Sequence, residues 1–188
     1  MSRLLRFLPI FCLLFAAACT MEVAIERLST PEDRAFARRF VENVRTGNEE
    51  ALKPLFEADL WTRSRGDVAR ARTLYPPGEG TTRLIGYHIA TNVTGSGTTT
   101  RKEYVLVTTD QTHWTTTKMV TLARGGPAQV VAWNVVGSGE KPPELEMYES
   151  MERIAPFLQA GAVILLLAAI ALVWWLVRRS RRKAAARA

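Results

Sequence analysis

The chain has 188 residues, 47% of them hydrophobic, and a formal charge of +7. Arg3 and Arg6 supply +2 of that charge and the six basic residues after Val177 supply +6, which leaves the long middle at −1. A nearly neutral middle excludes the electrostatic footprint of a nucleic-acid binder. The two cysteines, Cys12 and Cys19, both lie near the start, which excludes a disulfide scaffold for the long middle.

The first 18 residues read as a secretory leader. Arg3 and Arg6 make a basic start, Phe7 to Phe15 is apolar, and small residues at Ala16 and Ala18 precede a cut. The apolar run is too short to span a bilayer, which takes about 20 residues. Because Cys19 comes directly after the small residues, the end of the leader resembles a bacterial lipoprotein signal, with Ala16 where leucine is usual. That resemblance implies that residues 1–18 are removed and that Cys19 becomes a lipid-bearing N-terminus. Ordinary cleavage after Ala18, or a retained signal anchor, is the alternative. Residues 19–29 are then a tether.

Ser29-Thr30-Pro31-Glu32-Asp33 is a helix start, with a capping threonine, a proline in the first turn and acids at the positive end of the macrodipole. Phe36, Ala37, Phe40, Val41 and Val44 recur at helical spacing, and Gly47 ends the helix. Asn48 caps a second helix that buries Leu52, Leu55 and Phe56 and that Pro54 shortens. A third short helix is expected over Asp67 to Leu74, broken by Pro76-Pro77-Gly78.

After Gly80 the texture becomes strand-like. Arg83 to Val93, Lys102 to Thr109, Trp114 to Ala123 and Gln129 to Val136 are rich in Thr, Val, Ile, Tyr and Trp. The turns between them hold Gly95-Ser96-Gly97, Asp110-Gln111-Thr112 and Gly125-Gly126-Pro127, which predicts an antiparallel meander. In the first strand Ile85, Tyr87 and Ile89 are expected on one face, with His88 on the other.

Helices leading into a four-stranded meander make an α+β domain over residues 30–143. With its Phe36/Phe40/Val44 helix, its Gly47-Asn48-Glu49-Glu50 link and the closing strand Val130 to Val136, the stretch resembles the nuclear-transport-factor-2-like superfamily. A cystatin-like α+β layer shares the pattern. The resemblance implies a curved sheet around an N-terminal helix. It also implies either an apolar pocket with an acid–base pair or a non-catalytic binding or assembly domain, often a homodimer.

The candidates for such chemistry are His88, Asp110, His113, Asp59 and Tyr104, with His88 the most testable. No motif fixes an acid–base pair, so no catalytic residue is assigned and the non-catalytic reading is favoured. Two histidines without a cysteine pair in the domain make no metal site, and the glycines lack the spacing of a phosphate loop. No cofactor is expected.

Glu140 to Arg153 leads out of the domain, with 144–156 a juxtamembrane linker able to serve as a spacer or as a docking helix for a membrane-protein partner. Residues 157–177 carry no charge and read as a transmembrane helix, with Trp174 and Trp175 at the level of an interfacial belt. The basic tail, 178–188, is cytoplasmic by the positive-inside rule. The central domain is therefore expected outside the cytoplasm, on the periplasmic face of a bacterial inner membrane.

Overall fold

The computed structural model describes residues 20–78, 80–95 and 97–185; the leader and Cys19 lie outside the described residues. Among the described residues the fold is α+β, with four α-helices before a four-stranded antiparallel sheet and one long helix after it. One compact unit runs from Met21 to Glu149, and the remainder of the last helix belongs to a second.

Helix α1 (Met21–Leu28) forms within the stretch expected as a tether and buries Ile25. Helix α2 (Pro31–Thr46) starts on a capping box. The Thr30 hydroxyl accepts from the Asp33 amide at 3.2 Å, and the Asp33 carboxylate accepts from the Thr30 amide at 3.2 Å. The helix ends where Gly47 turns left-handed at φ 71°, a conformation open to a residue without a Cβ. Its buried stripe is Ala37, Phe40, Val41 and Val44.

Asn48 caps α3 (Glu49–Leu52) by accepting from the Ala51 amide at 3.1 Å, and the chain passes into a 3-10 turn over Lys53–Leu55 at Pro54. Helix α4 runs over Ala58–Arg72, far longer than the short helix expected from Asp67. Gly66 in its middle weakens the sequence signal, because glycine is a poor helix former in isolation. The tertiary setting overrides that cost: Ser64, Val68 and Ala71 are buried against the rest of the domain.

The strands β1 (Thr81–Thr94), β2 (Gly97–Thr109), β3 (Trp114–Arg124) and β4 (Gln129–Ser138) lie in the order β1-β2-β3-β4. Each neighbour pair is antiparallel, with registers such as Tyr87 opposite Tyr104 and Met119 opposite Trp133. On one face Tyr104, Leu106, Met119 and Val130 close a core with Phe40, Leu52, Phe56 and Val68 from the helices. Phe40 has no exposed surface and its ring lies 5.7 Å from Phe56 and 6.0 Å from Trp133. Gly137 admits the chain leaving α4, since a Cβ there would sit 3.0 Å from the Leu74 carbonyl oxygen.

The other face carries a smaller core. Ile25 of α1 meets Ile85, Val107 and the first turns of the last helix, α5 (Pro143–Ala185), through Leu145 and Tyr148. The expectation that Ile85, Tyr87 and Ile89 share a face is corrected here. The ladder slips between Leu84 and Gly86, so Ile85 is the extra residue of a bulge. A one-residue insertion moves a side chain to the opposite face, which is how Ile85 joins the second core while the Tyr87 hydroxyl reaches Asp33 on the first.

Helix α5 fuses the expected linker and span into one element with Pro156 inside it. Its stretch Pro143–Leu176 is long and apolar enough to cross a membrane, and the most apolar part of it is unburied. The Arg178 guanidinium stacks 5.1 Å from the Trp174 ring centroid, near the end of that stretch.

Truncation of Phe40 to alanine is expected to cost about 3–5 kcal/mol, read as a lower urea midpoint of the full chain in detergent micelles. A loss under about 1 kcal/mol would show that the aromatic cluster does not hold α2 to the sheet.

Candidate functional site

A cluster of polar side chains sits where the first turn of α2 meets β1 and β2. Asp33 projects from that turn, and only 8% of the residue is exposed. One carboxylate oxygen, Oδ1, accepts from Lys102 Nζ at 2.7 Å and from the Tyr104 hydroxyl at 3.3 Å. The other, Oδ2, accepts from the Tyr87 hydroxyl at 2.9 Å and from the Thr30 amide at 3.2 Å. Strand geometry supplies the donors: Tyr87 and Tyr104 are directly opposite each other, and Lys102 lies two residues before Tyr104 on the same face. The two tyrosine rings meet edge to face at 5.3 Å.

Burial pushes the Asp33 carboxyl upward, but hydrogen bonds from Lys102, Tyr87 and Thr30 more than offset it and hold the group below the usual aspartate range. Burial, reinforced by the Asp33 charge, raises both Tyr87 and Tyr104 well above the usual phenol range. The carboxylate is thus kept ionised and the hydroxyls kept as donors. A general base or acid works best with a pKa near the operating pH, and these shifts run away from it on both sides. The chemistry of the cluster is that of a brace: four donors converge on one buried charge.

A second buried polar contact links the bend after α4 to the sheet, where the hydroxyls of Tyr75 and Thr117 lie 2.6 Å apart. Burial raises Tyr75 to about 12, with Thr117 opposing the rise, so this hydroxyl also stays protonated.

The residues singled out in the sequence are scattered. Tyr104 is 2% exposed and belongs to the brace. His88 is exposed on β1 opposite Glu103, on the face away from Asp33. Asp110 builds the β2–β3 turn, accepting from the His113 and Thr112 amides at 2.8 Å and 2.9 Å, bonds that hold its carboxyl low. His113 is exposed in that same turn and Asp59 is exposed in the first turn of α4. Cys19, the lipid-attachment candidate, lies outside the described residues. The structure brings no two of the five candidates together except Asp110 and His113.

Asp33, Lys102 and Tyr87 are not among those candidates. The capping signal finds Asp33 for a different reason, and its partners are 54 to 71 residues away in the chain. Among the described residues, no group of three His, Cys, Asp or Glu is placed to hold a metal ion.

Two of the concavities that border the sheet have apolar side chains in their lining. One, of about 400 Å³, runs between α4 and β4. The other, about 240 Å³, has Val107, Trp114 and Leu145 as its apolar floor and Arg83 and Lys141 at its rim. Neither is lined by Asp33 or His88. Compared with known protein families, curated proteins and solved structures, the chain matches none.

These shifts set the sign of the pH effect. The Asp33 carboxyl is lower in the folded state than its ordinary value of 3.8, so its stabilisation is complete above that value and lost as pH falls through the lower folded value. The raised tyrosines contribute fully below the ordinary phenol value of 10.0 and lose that contribution above it. The thermal midpoint is therefore expected to be flat from about pH 5 to 9. Asp33→Asn should flatten part of the acid limb while lowering stability at pH 7 by about 2–4 kcal/mol, because Lys102 is left half-buried without its counter-charge. An unchanged acid limb in Asp33→Asn would contradict the assignment.

Proposed function

We propose that this protein is a membrane-anchored extracytoplasmic domain that binds a protein partner or assembles with copies of itself, without catalysing a reaction. The observation that carries the reading is α5, whose most apolar part is unburied and which starts inside the folded domain. A core helix of a soluble protein would bury such a stretch. The order of elements, helices first and then a meander, agrees with the resemblance to the nuclear-transport-factor-2-like superfamily, which includes many binding and assembly domains.

The reading extends to topology. A cleaved leader exports the N-terminus, and a single span ending at Arg178, Arg179, Arg181, Arg182 and Lys183 returns the tail to the cytoplasm. Lipid on Cys19 would be a second tether on the same leaflet of a bacterial inner membrane, and two anchors hold more persistently than one acyl chain. The brace supports the non-catalytic part, since its ionisable groups already satisfy each other.

Protease added to the outside of spheroplasts should digest the domain and leave the span. Mass spectrometry of the mature N-terminus should find a diacylated Cys19. Cys19→Ser should abolish acyl labelling while the protein stays in the membrane fraction, held by α5. A domain protected from external protease would reverse the orientation, and an unmodified Cys19 would remove the lipid. Crosslinking in membranes that recovers only monomer, with nothing attached, would remove the binding or assembly role.

A further inference from the structure

The binding-domain reading leaves open which surface binds, and β4 answers that question. β4 is an edge strand, and an edge presents unpaired backbone amides and carbonyls to any chain that can lie alongside. This protein already uses the first position of that edge itself. Phe56 bridges to Val130 in parallel, and the Glu57 amide donates to the Val130 carbonyl at 3.1 Å. The chain then leaves the edge to begin α4, and the next pinning contact is the close approach of Leu74 to Gly137.

Between those two points residues 131–135 form one wall of the 400 Å³ groove, and α4 forms the other. The ladder to β3 slips at Val131, so the regular part of this edge is residues 132–135, about 13 Å, a length over which a short extended segment can pair. Leu60, Trp133 and Val135 border the groove but pack on the main core, so most of the surface it offers is polar, from Arg63, Ser64, Asp67, Arg70 and Asn134. The α4 wall carries charge. Arg70 is occupied by Asp67 at 2.6 Å, whereas Arg63 is exposed, spends its Nε on the Asp59 carbonyl, and meets no carboxylate among the described residues.

We propose that the groove between β4 and α4 is a docking site for an extended acidic segment of a partner protein, which joins the sheet as a fifth strand. Main-chain pairing with residues 132–135 supplies the affinity, alternate side chains of the segment lie against Trp133 and Val135, and a carboxylate on its α4 side meets Arg63. A foreign segment suits the groove better than β4 of a second copy, because α4 stands along the edge and a second copy would bring its own α4 to the same place.

The test is hydrogen–deuterium exchange on the full chain in detergent micelles. The probe is the peptide acetyl-Glu-Val-Glu-Val-Thr-Val-Glu-amide, and its control has Lys in place of each Glu. The proposal expects the acidic probe to slow exchange at 132–135. It expects Arg63→Glu to weaken that probe by about two- to fivefold, the range of an exposed ion pair, and to favour the Lys control. Arg65→Glu, on the same helix but outside the groove and paired with Glu49, should change neither. Protection at 91–94 of β1 instead, or equal protection by both peptides, would overturn the groove as an acidic-segment site while leaving the binding role intact. Protection of 132–135 that rises with protein concentration and without peptide would assign the edge to a second copy and overturn the foreign segment. No protection at either edge would also overturn the groove, whereas the binding role falls only on the membrane crosslinking.

Discussion

One carboxylate organises the domain. Asp33 closes the capping box that starts α2, and the same group receives a lysine and two tyrosines from β1 and β2. It therefore ties the beginning of the main helix to the first two strands of the sheet, at the point where the two layers must be set in register. The aromatic core behind it is non-directional and would tolerate some sliding of α2. The three bonds that β1 and β2 donate to Asp33 are directional and would not. A buried charge carries a desolvation cost, so the cluster is better understood as fixing the position of α2 than as adding much net stability.

The second core has a different role. The bulge at Ile85 turns one apolar residue to the far side of the sheet, where it meets α1 and the first turns of α5. Those turns are held by charge as well. Lys118 bonds Glu144 at 2.9 Å and lowers its carboxyl, Lys141 pairs with Glu149, and the Arg83 guanidinium lies 5.5 Å from the Tyr148 ring centroid. The helix that carries the apolar stretch is thus part of the domain's own packing from Leu145 to Tyr148. What the sequence divides into linker and span is, in the fold, one helix, packed on the sheet through Leu145 and Tyr148 and unburied along its most apolar stretch.

Signals in the sequence are legible where their causes are local. Thr30, Pro31 and Asp33 mark the start of α2, Gly47 its end, Asn48 the next cap and Pro54 the shortening of α3. The four strands are readable from β-branched and aromatic runs between turn residues. The differences between expectation and fold have non-local causes. α4 exceeds its expected length because Gly66 lowers its propensity, while its stability comes from burying Val68 and Ala71. The bulge at Ile85 has no signature in an alternating run. The Asp33 brace is invisible in the sequence because its partners are strands away, and Tyr104 stands out as reactive chemistry when it is a buried donor. His88 draws attention for its residue type, which says nothing about the exposed position it occupies.

The claim that Asp33 is a brace and not an acid–base group is tested most directly by tracking its side-chain carboxyl carbon by NMR across pH in the full chain. The account predicts a single midpoint below the ordinary aspartate value of 3.8, with Tyr87 and Tyr104 still protonated beyond the ordinary phenol value of 10.0. A carboxyl midpoint near neutrality, with either tyrosine titrating early, would contradict it and mark the cluster as a reactive site.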